Sequence, residues 1–455
     1  MTLPAESAGR TLVLFNYDWD RSGFALWQDR FRFDTDGFDL FTFPSNARLA
    51  WFDMQRFVDG LARKAARAGW QAVVSNHEQF GALTAALLAE RMGWPGTSVE
   101  AVLACQHKLY AREVLQEVCP EANLKFSTLD CLYGDRVPSN LHYPLFVKPV
   151  KAAFSVLAAT VTNQAQLQAH TRFGPWEQWV IQHLVEPFER IARLRLPQAG
   201  TAHRLLLEEP MAGAQYNMDG YVFEGTVREI GIVQALMYPG TKAFMRFDYP
   251  CALDPPVHEQ ALEVARKFLG AIGFTHGMFN MEFFHNPVSG KLTVIEFNPR
   301  MAPQFSDLYR RVQGIDLHRM ALELAWGRDP GLLPCLTPVA GAASSFVYRI
   351  FDAATPVHMP RPAQLAAFVS TFPDGLLLEF PKPRGSMRRD FKWLGSYRYA
   401  IIHLGGADRQ ELRHRCEHAS RIFGWPAPYA DVVAEPNHAL RHPTAIAPYP
   451  METSS

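Results

Sequence analysis

Two glutamates, an asparagine and an arginine fall at chemically useful spacings within one stretch, Gly277–Arg300, which reads GMFNMEFFHNPVSGKLTVIEFNPR. Side chains alternate across a strand. In an extended run, Met278, Asn280 and Glu282 therefore share one face, and Phe279, Met281 and Phe283 the other. In the run that follows, Val294, Glu296 and Asn298 share a face opposite Ile295 and Phe297. Asn286-Pro-Val-Ser-Gly290 between the runs is rich in turn formers and predicts a hairpin. The hairpin brings Glu282, Glu296 and Asn298 to one surface. Two carboxylates and an amide oxygen are hard ligands, suited to Mg²⁺ that keeps phosphate and water as its other ligands. Arg300, two residues beyond Asn298, adds a planar, permanently charged fork for a phosphate or carboxylate. For the two glutamates alone, a hairpin with a solvated polar face gives the same pattern.

Other cations stand near predicted strands. Lys148 ends the apolar run PLFVKPV, from which its ammonium can extend into a cleft. Lys151 and Ser155 follow in Val150-Lys-Ala-Ala-Phe-Ser155, a loop without glycine. Lys242 and Arg246 lie in Pro239-Gly-Thr-Lys-Ala-Phe-Met-Arg246, at helical i,i+4 spacing if the turn at Gly240 continues as helix. A solvated loop is the equal alternative there. His183, His276 and His285 are lone histidines, expected to be ordinary hydrogen-bonded side chains.

The run Glu296-Phe-Asn-Pro-Arg300, after a long strand-rich region, resembles the metal-binding strand of the ATP-grasp superfamily, and Glu282 in FNMEFF resembles its first metal-binding carboxylate. The resemblance covers about Val99–Gly327. It implies that Glu282 and Glu296 hold two Mg²⁺ ions (or Mn²⁺) on the phosphates of ATP. It also implies that Asn298 ligates one ion and that Arg300 steadies an acyl-phosphate intermediate. Lys148 resembles the family's nucleotide-touching lysine in "V-K-P", and Gln106-His-Lys108 resembles an earlier lysine element on a helix. Leu205–Gly220, LLLEEPMAGAQYNMDG, is similar to the hinge of the nucleotide clamp. By that resemblance Glu208 enters the hinge, backbone groups of Glu209–Met211 read the adenine edge, and Gln215 meets the ribose hydroxyls. Gln215 stands where the family carries an acid, so that contact lacks charge-assisted strength. Asp219-Gly220 is either an acid–glycine site pair or a tight turn. Lys242 or Arg246 is the cation expected at the γ-phosphate. The family wraps the phosphates with a glycine-rich loop. Here Lys151 and Ser155 are left to supply donors, with Phe154 as a lid or as core filling.

The elements that must position these groups divide the chain in three. Strands at Thr11–Tyr17 and Gln71–Ser75 alternate with helical stretches, one carrying Phe52, Met54, Phe57, Val58, Leu61, Ala65 and Ala66, the next about Glu78–Met92. This order predicts a parallel α/β domain over 1–98. An ATP-grasp domain over 99–330 opens with one helical stretch from about Val99 to Val118. It continues with strands at Pro144–Val150, Ser155–Val161, Leu205–Glu209, Gln215–Phe223 and Val227–Met237. A strongly amphipathic helix carries Val257, Ala261, Val264, Ala265, Phe268 and Leu269. After a proline-rich linker, Gly331–Pro338, a mixed α/β domain over 331–455 has strand candidates Phe346–Phe351, Gly375–Phe380 and Arg398–Leu404, and a helix around Arg409–Phe423. The fold class is α/β, with α+β character. Within the last domain, Arg384-Gly-Ser-Met-Arg-Arg389 is a basic run that either holds an anionic substrate or is solvated.

Composition bounds the function. The 455 residues suggest about three domains. Forty-five basic residues balance forty-five acidic ones, so no global charge field selects nucleic acid or an anionic membrane. Six scattered cysteines without a CxxC pair predict reduced thiols and a cytoplasmic protein. No apolar run nears the roughly 20 residues that cross a bilayer. The resemblance implies an ATP-dependent ligase that joins a small-molecule carboxylate to an amine through an acyl phosphate. A homodimer, common among similar ligases, is the implied assembly. Bacterial L-amino acid ligases and biotin carboxylases share the three-part layout. A bicarbonate-activating enzyme and a nucleotide sensor without turnover are the alternatives.

Overall fold

The N-terminal sheet holds three parallel strands, β1 (Arg10–Leu14), β2 (Arg32–Asp36) and β3 (Trp70–Val74), in the order β2-β1-β3. The helix Met54–Ala68 buries Met54, Val58, Leu61 and Ala65, one stripe at helical spacing. Asp53 caps it by accepting from the Arg56 N–H, and Gly69 ends it in the left-handed region at φ 70°. β2 is polar and only half-buried, so nothing in its apolar content announced it. The structure is a computed structural model and describes residues 9–40, 45–129, 137–152, 157–382, 387, 390–391 and 395–429. Ser155, Phe154 and most of the basic run Arg384–Arg389 lie outside the described residues.

Two antiparallel sheets follow. The smaller contains β4 (Phe126–Leu129), β5 (Leu145–Pro149), β6 (Ala159–Val161) and β7 (Leu205–Glu208), in the order β4-β7-β5-β6. The larger contains β8 (Ala214–Phe223), β9 (Thr226–Met237), β10 (Phe244–Tyr249), β11 (Gly277–His285), β12 (Leu292–Asn298), β13 (Ala342–Ile350), β14 (Leu376–Glu379) and β15 (Tyr397–Gly406). Its order is β12-β11-β8-β9-β10-β13-β15-β14. The strands expected in a separate C-terminal domain thus extend the central sheet, because β13 pairs directly with β10.

Three local expectations are corrected. Arg246 lies on β10, with no helical turn linking it to Lys242. The expected single helix from Val99 to Val118 is two, Val99–Gln106 and Lys108–Val118. His107 leaves the helical region between them, and its ring nitrogen accepts from the Tyr110 N–H to cap the second. Helices at Gln164–His170 and Pro175–Arg195 were not anticipated.

The helix Pro255–Ala271 decides which face of the hairpin carries chemistry. Its Ala261, Val264, Ala265, Phe268 and Leu269 are buried against Phe279, Met281 and Phe283 of β11 and Phe297 of β12. Phe268 stacks on Phe297 with centroids 4.0 Å apart. Burying that aromatic face turns Asn280, Glu282, Glu296 and Asn298 to the other side. Among the described residues the five cysteines are free thiols, and no helix is long and apolar enough to cross a membrane.

Candidate active site

Glu282 pairs with Glu296, and Asn280 with Asn298, in the β11–β12 register. A β-bulge interrupts the ladder, so that Phe283 pairs with Val294. It corrects one expectation: Val294 lies in the buried core with Phe283 and Phe297 rather than beside Glu296. The extra residue is Ile295, whose carbonyl accepts from Arg112 Nη2 at 3.1 Å and from Lys148 Nζ at 3.4 Å. The bulge therefore re-aims Glu296 and supplies a site for two cations. Asn298 Nδ2 donates to Asn280 Oδ1 at 3.4 Å, a bond that does not use the Asn298 amide oxygen.

Lys148 and Arg112 share one oxygen of Glu208, at 2.9 Å and 2.8 Å. All three are buried, and Glu208 Oε2 has no partner. Burial lowers the Lys148 ammonium to about 8, with Glu208 resisting the shift. Glu208 was expected at the nucleotide hinge. The structure instead makes it the buried anchor that holds Lys148 toward β12. Arg112, which ties Glu208 to Ile295 and to Asn123 Oδ1 (3.2 Å), was missed; its helix position carries no motif.

Lys108, the first residue after the His107 break, reaches Glu296 Oε2 at 3.1 Å and the Ala152 carbonyl at 2.9 Å. Burial works against this ammonium, but Glu296, Glu78 and Glu282 together outweigh it and hold its pKa above the ordinary value. Burial likewise opposes the Glu296 charge, yet Lys108 and Lys148 hold that carboxyl well below the usual range. Glu282 is pushed the other way, by burial first and by the neighbouring Glu296 charge second. Gln215 Nε2 donates to Glu282 Oε2 at 3.0 Å, so this amide lies beside the Glu282–Glu296 pair rather than free for a ribose.

The N-terminal domain enters the site through Glu78, on the turn after β3. Arg300 Nη2 lies 2.6 Å from Glu78 Oε2. The Glu78 carbonyl accepts from Gln106 Nε2 at 2.7 Å and from buried Lys151 Nζ at 3.3 Å. Lys151 also lies over the Phe188 ring, 4.9 Å from its centroid, and burial lowers its ammonium to about 7. The sequence reading missed Glu78 by starting a helix there. The signal was the polar run Asn76-His-Glu-Gln79 between an apolar strand and an apolar helix.

The remaining candidates separate. Glu209 pairs across the small sheet, its N–H on the Lys125 carbonyl and its Oε1 accepting from Lys125 N at 3.2 Å. Met211 is half-buried on the connection to β8. Lys242 touches the Thr160 hydroxyl and lies 4.7 Å from the Phe146 ring centroid, bridging the two antiparallel sheets. Arg246 does not join the site. The row Phe284–Gln215–Ala235–Phe247 shares the face of Glu282, so Arg246, next to Phe247, projects from the opposite face. There it is buried and ion-paired with Asp248 at 3.0 Å. Asp219 lies inside β8, not in a turn. It accepts from Ala302 N (3.0 Å) and Tyr309 OH (3.1 Å), pinning the segment after Arg300, and burial raises its carboxyl to about 7. His183 and His276 bond backbone carbonyls, as expected.

These donors fit Mg-ATP. Among the described residues no group of three or more His, Cys, Asp or Glu could hold a metal by itself. Two carboxylates and one amide oxygen need further oxygen ligands, which phosphates provide. Lys108, Lys148, Lys151 and Arg300 supply the positive charge that phosphates require.

No protein-family model matches the chain. Carnosine synthase 1 from Gallus gallus is 31% identical over 139 residues, which make up 29% of this chain and 14% of that protein. The chain therefore aligns with only a small part of that relative. Among solved structures, L-amino acid ligase from Bacillus licheniformis superposes with a TM-score of 0.66 at 14% identity, over 92% of this chain and 97% of that one. N5-carboxyaminoimidazole synthase from Aspergillus clavatus, bound to ADP and its aminoimidazole ribonucleotide, gives 0.59 at 13% identity, covering 92% and 99%. Biotin carboxylase from Campylobacter jejuni, in an ATP-analogue complex, gives 0.56 at 14% identity, covering 90% of each. The fold of this chain is the ATP-grasp fold.

Proposed function

We propose that this ATP-grasp chain is an ATP-dependent carboxylate–amine ligase. The observation that carries the reading is the convergence of Glu282, Glu296 and Asn298 with Lys108, Lys148 and Arg300. ATP is a substrate: an oxygen of the acceptor carboxylate attacks the γ-phosphorus and ADP leaves. The resulting acyl phosphate is then attacked at carbon by the lone pair of an amine. Inorganic phosphate departs and the amine gives up a proton, leaving an amide. A carboxylate is a poor electrophile by itself, and phosphorylation gives it a leaving group.

Bound Mg²⁺ would neutralise phosphate charge, held by Glu282, Glu296 and Asn298. Lys108 and Lys148 hold Glu296 ionised for that role and add charge along the phosphates. Lys151, on the glycine-free loop, supplies a side-chain donor where backbone N–H groups would otherwise serve. Glu209 and Met211 stand on the connection between the two sheets, where the adenine edge would lie, and Gln215 orients Glu282. Arg300 binds the transferring phosphoryl group and the acceptor carboxylate, and Lys242 closes the cleft from the β9–β10 loop.

The glycine-free loop favours a second reading, a nucleotide sensor without turnover. Steady ADP release, screened over amino acids and small carboxylates with mass spectrometry of the products, tests both. Ligation predicts ADP release coupled to an amide product. Mg-ATP affinity without ADP release under any pairing would leave the sensor, and no Mg-ATP affinity would remove the nucleotide altogether.

A further inference from the structure

We propose that Glu78 determines acceptor specificity, by binding a protonated amine on the same molecule whose carboxylate binds Arg300. The ligand of the Glu78–Arg300 pair is then a zwitterion. This rests on the ligase reading for the use made of Arg300, while the chemistry of recognition follows from the pair itself.

Glu78 belongs to the N-terminal domain, yet its bonds run into the ATP-grasp core. Gln106 and Lys151 fix its carbonyl, and Arg300 takes its carboxylate. The backbone is thus pinned and only the side chain is free to turn. The two side chains are 9% and 12% exposed, a nearly buried pair at the cleft wall. Leaving one member of such a pair without a counter-charge carries a large energetic cost. A simple carboxylate that claimed Arg300 would impose that cost on Glu78.

Among the described residues of the N-terminal α/β segment, no cation is bonded to the Glu78 carboxylate. His77 accepts the Phe80 N–H at its Nδ1, and burial lowers its ring to about 3, so it stays neutral. Lys151 and Lys108 add positive charge near Glu78, but Lys151 is bonded to the Glu78 carbonyl and Lys108 to Glu296 and the Ala152 carbonyl, while Glu282 adds like charge from β11. A ligand with both charges solves the problem by exchange. Its carboxylate replaces Glu78 on Arg300 and its ammonium replaces Arg300 on Glu78, so every charge keeps a partner.

The test measures binding without turnover. The full chain with Mg²⁺ and a non-hydrolysable ATP analogue is titrated calorimetrically with the twenty common amino acids, β-alanine and 4-aminobutyrate. Each is compared with its desamino counterpart, such as alanine with propionate. At least one amino acid should bind about 10²-fold or more tighter than its counterpart. Glu78→Gln, near-isosteric and checked by circular dichroism and Mg-ATP affinity, should abolish that preference, and Glu78→Asp should restore part of it. Equal binding of both members of every pair, no binding by any amino acid, or a preference that survives Glu78→Gln would each overturn the proposal. Amino-acid binding without ADP release would sink the ligase reading and leave this one. ADP release driven equally by desamino acids would do the reverse.

Discussion

Glu282 and Glu296 stand directly opposite each other on β11 and β12, yet one meets a cation and the other an amide. Lys108 Nζ lies 3.1 Å from Glu296, whereas Glu282 receives the neutral Gln215 side chain at 3.0 Å. Glu296 is therefore the carboxylate of the pair that stays ionised. Glu296→Gln should abolish turnover while the fold survives, because Lys108 keeps its bond to the Ala152 carbonyl. Retained ADP release in a variant still folded by circular dichroism would reduce this hairpin to a solvated strand face.

In the proposed reading, Glu282 makes Mg²⁺ binding pH-dependent. Its carboxyl is raised by burial and by Glu296, so between the ordinary carboxylate range and its raised value the folded state holds a proton that the unfolded state has lost. More protons bound in the folded state means that stability falls as pH rises through that window. Metal binding needs the deprotonated form, so Mg²⁺ affinity should rise over the same interval. Glu282→Gln should flatten the stability slope and weaken Mg²⁺ in Mg-ATP titrations. An unchanged slope in denaturant melts from pH 5 to pH 8 would contradict the assigned proton.

Glu208 tests anchoring against nucleotide contact. It is fully buried beneath Arg112 and Lys148, and its removal strands two buried cations. Glu208→Ala should cost about 3–5 kcal/mol in urea unfolding. Glu208→Ala/Lys148→Met, with one cation removed as well, should recover part of that loss but not turnover. A Glu208→Ala protein of native stability that merely binds ATP poorly would return Glu208 to the hinge.

Much of this was legible in the sequence because local chemistry and local structure agreed there. The hairpin Gly277–Arg300 has strand alternation, a turn and its polar candidates Glu282, Glu296 and Asn298 within one short segment, and the helix packed behind it shows a clean apolar stripe. What was illegible depended on chain segments far apart. Arg246 read as a loop cation because its partners, Asp248 and the edge of β13, became visible only when β10 formed. Glu78 looked like an ordinary helix start, and its meaning comes from Arg300, 222 positions away. The bulge at Ile295 left no mark, since an extra residue does not alter the apolar content of a strand.

Arg246 supplies the control for the cation assignments. It lies on the face of the sheet opposite Glu282, and Asp248 keeps a second partner, Arg409, at 3.3 Å. Arg246→Gln should lower stability by about 1–3 kcal/mol and leave Mg-ATP affinity and ADP release near wild type. Lys242→Ala, at the bridge between the two antiparallel sheets, should slow ADP release with little loss of stability. A reversed pattern in the two variants would restore Arg246 to the γ-phosphate.

Arg300 should matter to chemistry more than to nucleotide binding. It lies two residues beyond Asn298, and Asp219 pins the segment behind it through the Ala302 N–H. Its fork can take phosphoryl oxygens as charge moves onto them, so its contacts strengthen in the transition state. Losing one such contact is worth roughly 3–4 kcal/mol, or about 10²–10³ in kcat. Arg300→Ala should bind Mg-ATP within about tenfold of wild type and form product slowly. Arg300→Lys keeps the charge without the bidentate geometry and should recover only part of the rate. Removing the guanidinium also leaves Glu78 without its counter-charge, so Arg300→Ala should unfold more easily than wild type. Adding Glu78→Gln should restore much of that stability without restoring turnover, which separates the two duties of one side chain. Normal turnover in Arg300→Ala, or failure through lost ATP affinity alone, would pass the phosphoryl role to Lys242.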